Sequence, residues 1–225
     1  MQLTVSDAAK ALHVGEQSIL RWIQSGTLPA YRVAGEYRLN RAALFEWAAG
    51  KRLQIAADDS TALPRAPDAP LPTLADALRL GGRYDDVPGA TAEAALASFV
   101  ERMDLPESIQ RPFLLNALLA RESLQSTGIG DGIAFPHLRN PALLGLANPM
   151  VFLAYLSGPV DFRALDGEPV SILFCPLSPD LRTHLHILSR LAYALRQPSF
   201  STLVRTRAPQ EEILAAADAL EEPAF

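Results

Sequence analysis

The chain has 225 residues, 49% of them hydrophobic and 20% charged, and a formal net charge of −5. This is globular composition with room for one large or two smaller domains, and it excludes a uniformly basic nucleic-acid coat. The charge is uneven: residues 1–55 hold seven Lys or Arg against four acids, a net of +3, which leaves −8 for the remainder. A basic end on an acidic body implies two modules with different partners. The single cysteine, Cys175, excludes an intrachain disulfide framework and a multi-cysteine metal centre. The first residues show no secretory leader, and no apolar run approaches the roughly 18–20 residues of a membrane span. The expectation is a cytoplasmic protein with no membrane segment, no metal and no cofactor.

In chain order, Val5, Ala8, Ala9 and Leu12 are spaced as a helix, with Thr4 placed to cap it and Asp7 in its first turn. A break at 13–15 leads to a second helix carrying Ile19, Trp22 and Ile23, which Gly26 ends and Pro29 blocks. Tyr31, Arg32 and Val33, then Tyr37, Arg38 and Leu39, alternate around Ala34-Gly35-Glu36 as a small hairpin. A third helix is expected over 40–49. Trp22 and Trp47, beside Ile19, Ile23 and Leu44, read as core rather than as stacking platforms. His13, in the break, is given no role.

Four prolines within 56–72 (Pro64, Pro67, Pro70 and Pro72) cannot continue a helix or a ladder, so this stretch reads as a semi-extended linker. The expected organisation is therefore 1–55, a linker over 56–72, and a second domain over 73–225. In that domain helices are expected near 91–103, 107–120, 180–196 and 208–219. Strands are expected near 132–136, 150–156 and 170–176. Helices interleaved with short apolar strands predict a mixed β-sheet covered by helices, so the fold class is α+β, mixed.

Two short helices, a tight turn and a hairpin wing can place one helix in a major groove. The second helix would be the reader: Gln17, Ser18 and Arg21 face base edges, while Arg32, Arg38 and Arg41 neutralise phosphates. The strings Leu3-Thr4-Val5-Ser6-Asp7-Ala8-Ala9 and Ser25-Gly26-Thr27-Leu28-Pro29-Ala30, with Arg32-Val33 and Arg38-Leu39, resemble excisionase and MerR-like winged helix-turn-helix modules over about residues 1–50. Glu16 and Glu36 depart from that pattern, and each places a negative charge where phosphate would approach.

The most informative string runs from Arg121 to His137. Gly128, Gly130 and Gly132 allow a loop whose N–H groups converge on an anion, together with Thr127 and Ile129. An apolar run then delivers Pro136 and His137 at a strand end. A neutral imidazole beside such a loop suits nucleophilic attack on phosphorus, and Arg121 supplies positive charge for the phosphoryl oxygens. Downstream, Leu181, Leu185, Leu188, Ala192 and Leu195 mark a helical stripe, with His184 at its edge and His186 pointing to solvent. Cys175 reads as buried core, and Asp161 and Asp166 as loop carboxylates.

These strings resemble IIA domains of the fructose–mannitol type in the bacterial sugar phosphotransferase system, including the nitrogen-regulatory IIA proteins, over about 73–222. The phrase Ser126-Thr127-Gly128-Ile129-Gly130, then Gly132-Ile133-Ala134, then Pro136-His137 carries the likeness, and a second matching stretch runs over 159–170. The resemblance implies that His137 accepts a phosphoryl group on Nε2 from a histidine phosphocarrier protein, with Arg121 and His184 in the family's arginine and second-histidine positions. Taken with the helix-turn-helix resemblance, it implies a cytoplasmic regulator whose N-terminal domain binds DNA, with a homodimer expected by analogy with paired half-sites. One alternative is a phosphorylation-dependent protein-interaction regulator of a kinase or transporter, without DNA binding. Another is a IIA carrier that donates to a separate sugar-specific IIB.

Overall fold

The computed structural model describes the chain apart from residues 1, 13, 26, 29, 34–35, 41–43, 45–46, 48–70 and 222–225; for residues 2, 11, 31–33 and 40 it describes the backbone alone. The chain divides into two compact units, Met1–Thr61 and Ala62–Phe225.

In the first unit, α1 (Val5–Ala11) begins at a complete capping box. Thr4 accepts the Asp7 N–H on its hydroxyl while Asp7 accepts the Thr4 N–H on its carboxylate. After a short turn, α2 (Glu16–Gln24) starts at Gly15, and Ile19 is buried beneath it. The expected hairpin forms as β2 (Tyr31–Val33) and β3 (Glu36–Asn40). Its β3 strand also pairs with β1 (Gln2–Thr4), so the wing is a three-stranded sheet in the order β1-β3-β2. Strand β1 was not anticipated, because three residues are too few to show an alternation. Leu3, Ala8, Ala9, Leu12, Ile19, Leu28, Leu39 and Leu44 form the core. Trp22 and Trp47 are half-buried and pack on each other, ring centroids 4.7 Å apart. His13, most of the expected third helix and all of the expected linker except Leu71 and Pro72 lie outside the described residues.

The second unit holds a five-stranded mixed sheet in the order β4-β7-β8-β6-β5: β4 (Arg83–Val87), β5 (Gly128–Gly130), β6 (Ile133–Ala134), β7 (Met150–Val160) and β8 (Val170–Leu177). Strands β4 and β7 pair in parallel, as do β6 and β8, while β7 and β8 run antiparallel. Both faces are covered, which is why β7 and β8 read as continuous apolar runs. Alternate side chains enter two cores. Phe152, Ala154 and Leu156 join one core with α4 (Ala92–Arg102) and α5 (Arg111–Leu124). Val151, Leu153 and Tyr155 join the other, with α3 (Leu74–Gly81), α6 (Leu181–Leu195), α7 (Pro198–Arg205) and α8 (Gln210–Ala219). Gly81 shows how closely α3 lies on the sheet: a Cβ there would stand 2.2 Å from the Val151 carbonyl oxygen.

Three expectations need correction. Helix α5 starts later than expected, at Arg111 with Pro112 in its first turn, and runs to Leu124, so Arg121 sits in a last helical turn rather than in a loop. The buried face of α6 is Thr183, His184, Ile187, Leu191 and Ala194, while Leu181 and Leu185 are more than half exposed and Ala192 is exposed. The leucine stripe is thus displaced by about one residue, and the polar pair Thr183-His184 takes the inward position. His186 is half-buried and does not simply point to solvent: its Nε2 lies 3.2 Å from the Pro72 carbonyl oxygen, so an Nε2–H donates there.

Candidate functional site

The site stands at the C-terminal end of β6, where helices from the two layers meet. Strand β6 delivers Phe135, Pro136 and His137. From one layer, the last turn of α5 supplies Arg121. From the other, the first turn of α6 supplies His184, held by the Asp180 cap, which accepts the Thr183 N–H at 2.7 Å and the Thr183 hydroxyl at 2.9 Å.

The His137 imidazole is engaged at both nitrogens. Nδ1 is 2.7 Å from the Phe135 carbonyl oxygen, and a carbonyl only accepts, so Nδ1 carries the proton. Nε2 accepts the Nε–H of Arg121 at 3.2 Å and therefore presents a lone pair. The same guanidinium donates from Nη1 to the Gln125 carbonyl at 2.8 Å, satisfying one of the open carbonyls at the end of α5. The His184 ring lies 5.5 Å from the His137 ring, tilted by 43°. His184 is buried, and its Nδ1 has no hydrogen-bond partner among the described residues.

Both imidazoles are held neutral. Burial lowers the His137 pKa from its ordinary value, the Arg121 cation adds to this, and the Phe135 carbonyl and Glu122 pull the other way. Burial, with His137 beside it, pushes His184 down to about 4. Cys175 is fully buried with its thiol pushed up, as a structural cysteine should be.

The glycine string is more closed than the open anion cradle that its spacing suggested. It is a hairpin, β5 to β6, with Gly130, Asp131 and Gly132 all at positive φ in the turn. Three of the N–H groups along it are already used. Thr127 N–H goes to the Glu122 carboxylate at 3.1 and 3.2 Å, Gly128 N–H to the Ser126 hydroxyl at 2.9 Å, and Asp131 N–H to the Asp166 carboxylate at 2.7 Å. Glycine is required here for two reasons: Gly130 sits at φ +100°, and a Cβ on Gly128 would lie 2.7 Å from the Ala164 Cβ. Ile129 is half exposed beside this turn. The loop carboxylates are thus structural: Asp166 also takes the Glu168 N–H, and Asp161 takes the Arg163 N–H. Glu122, by contrast, was not foreseen. The only trace of it in the sequence is its adjacency to Arg121.

In the first unit, Gln17 and Arg21 are exposed on α2, and Ser18 is half-buried. Arg38 is paired with Glu36 at 3.0 Å. Arg32 is described by its backbone alone and Arg41 lies outside the described residues.

A family model described as phosphoenolpyruvate-dependent sugar phosphotransferase system, EIIA 2, matches residues 86–218, and a helix-turn-helix domain model matches residues 3–52. A nitrogen regulatory protein of Pseudomonas aeruginosa is 40% identical over 146 residues, which cover 63% of this chain and 91% of that protein. A fructose-specific EIIA component of Haloferax volcanii is 36% identical over 111 residues, 48% of this chain and 70% of that protein. Among solved structures, the nitrogen regulatory protein IIA-Ntr of Neisseria meningitidis superposes with a TM-score of 0.55 at 30% identity, covering 64% of this chain and 98% of that one. The IIA mannitol structure of Escherichia coli, at 20% identity and a TM-score of 0.50, covers 60% of this chain and 94% of that one and shows the shared fold. The second unit therefore belongs to the EIIA type-2 family of the phosphoenolpyruvate-dependent phosphotransferase system, carried on a chain that also has an N-terminal helix-turn-helix domain.

Proposed function

We propose that this chain is a regulator that accepts a phosphoryl group on His137 Nε2 from a histidine phosphocarrier and binds DNA through its first unit, with domains at 1–55 and 73–225 joined by a linker at 56–72. The observation that carries the first half is the fixed tautomer: Nδ1–H on the Phe135 carbonyl leaves Nε2 as the nucleophile. In the transfer, the Nε2 lone pair forms the new N–P bond while the N–P bond to the carrier's imidazole breaks, and that imidazole leaves with the electron pair. The Arg121 Nε–H gives up the lone pair and turns to a phosphoryl oxygen, where a charge-assisted hydrogen bond is stronger. The first turn of α6 brings the positive end of a 15-residue helix beside the new anion. A dianion next to His184 favours its protonated form, so the second imidazole gains a charge when the first gains a phosphoryl group.

The surroundings suit a protein donor. Leu124, on the turn after Arg121, and Leu181 and Leu185, on the turns flanking His184, are each more than half exposed. They leave exposed apolar side chains on both helices that supply the site, which suits a docking protein. The names of the curated relatives, nitrogen regulatory proteins above all, support regulation over sugar delivery. The test is incubation with phosphoenolpyruvate, enzyme I and phosphocarrier, followed by intact mass and peptide mapping. Acid-labile label on the His137 peptide supports the reading, and label elsewhere overturns it.

For the first unit, one observation favours contacts with protein instead of DNA: Glu36 occupies Arg38, a wing residue expected on phosphate. Glu36→Gln is expected to release that arginine. If DNA is the partner, affinity rises and the slope of log K against log salt steepens by about one. If titrations of both proteins stay flat at every salt concentration, the DNA-binding reading is overturned.

A further inference from the structure

We propose that Glu122 and Thr127 are positioning residues that hold the β5–β6 hairpin against α5 and thereby fix the tautomer of His137. The inference rests on the reading of His137 as acceptor and adds two residues to it. Glu122 is half-buried on the last turn of α5, beside Arg121 in sequence. Its carboxylate accepts both donors of Thr127: the backbone N–H at 3.1 and 3.2 Å, and the hydroxyl. Thr127 is 4% exposed, so neither donor has water as an easy substitute. The Thr127 carbonyl in turn accepts the Phe135 N–H at 2.9 Å, and the Phe135 carbonyl takes the His137 Nδ1–H at 2.7 Å. Each link therefore sets the place of the next, from a helix end to an imidazole proton.

The arrangement also resolves an apparent conflict. A carboxylate close to a phosphoryl acceptor repels the incoming group and competes for the arginine that must meet it. Two donors from Thr127 occupy Glu122 and keep Arg121 available to His137, whose Nε2 it reaches at 3.2 Å. The charged and titratable groups around His137 are then Arg121 and Glu122 from α5 and His184 from α6. Glu122→Gln offers one acceptor oxygen to two donors. Thr127→Val removes the hydroxyl and keeps the shape. Thr127→Ser keeps the hydroxyl.

The test is the ¹⁵N spectrum of the histidine rings in the full chain, read together with the rate of phosphoryl acceptance. Wild type is expected to show His137 with its proton on Nδ1. Glu122→Gln and Thr127→Val are each expected to move a measurable share of the proton to Nε2 and to slow acceptance by about tenfold or more, as loss of positioning does. Thr127→Ser is expected to restore both. Either folded variant, judged by its amide spectrum, decides the matter: a wild-type tautomer and rate in either one overturns the inference. The tautomer is read without any phosphoryl donor, so wild type taking no label on His137 would defeat the acceptor reading and leave this inference to its own measurement.

Discussion

His137→Ala is expected to take up no acid-labile phosphoryl group at all, whereas Arg121→Ala is expected to become labelled on His137 but about 10²–10³-fold more slowly, the usual loss for one donor aimed at developing charge. The two effects differ in kind. Alanine at 137 removes the nitrogen that the fold presents with a lone pair toward Arg121. Alanine at 121 leaves that nitrogen, still held by Nδ1 on the Phe135 carbonyl, and removes the cation proposed to meet the phosphoryl oxygens. Lysine at 121 is expected to recover only part of the rate, because an ammonium is a single point charge and cannot hold the Gln125 carbonyl and a phosphoryl oxygen with one planar fork. A time course with excess phosphorylated carrier, read by intact mass, separates the cases. Equal rates for wild type and Arg121→Ala would remove the arginine from the transfer, and label on His137→Ala would move the acceptor to another residue.

The parts of this site that could be read from sequence are those whose chemistry is written in residue type. His137 after a proline, Arg121 sixteen residues before it and His184 after a threonine all converge in the fold. What could not be read is direction. The leucine stripe of α6 is more apolar than the face that is buried, because Leu181 and Leu185 are left outside around the site while Thr183 and His184 turn inward. Glycine spacing says that a backbone is tight but not what it is tight against. Here the partners include Asp166 and Ala164, some 35 residues away. The short elements were hidden for a similar reason. Strand β4 contains Asp85 and Asp86 at a sheet edge, and α3 and α7 have eight residues each, too few for a period to show. In the first unit the two helices and the hairpin were legible from caps and breakers, but β1 depends on pairing with β3, a contact between distant positions.

The neutral histidine pair also makes the second unit sensitive to acid in a defined window. His184 titrates at about 4 in the fold against an ordinary 6.5, so between those values the unfolded chain binds a proton that the folded chain refuses. Stability is therefore complete above pH 6.5, declines as the pH falls below it, and levels off near 4, where both states are protonated. The loss amounts to about 3 kcal/mol for this group alone. His137, whose pKa is lowered in the same direction, adds to the slope. His184→Gln carries no titrating group and is expected to be flatter between about pH 7 and about pH 4.5, where an ordinary histidine changes charge. The probe must belong to the second unit. Both tryptophans, Trp22 and Trp47, lie in the first, so indole fluorescence does not report on it. Hydrogen exchange of the β7 and β8 amides does, since those central strands open only when the unit unfolds. If the protection of these amides falls equally with pH in wild type and His184→Gln, the buried imidazole is not the source of the acid sensitivity. If wild type loses protection and the variant holds it, the same desolvation that keeps His184 neutral is what primes it to take a proton once a phosphoryl dianion is placed beside it.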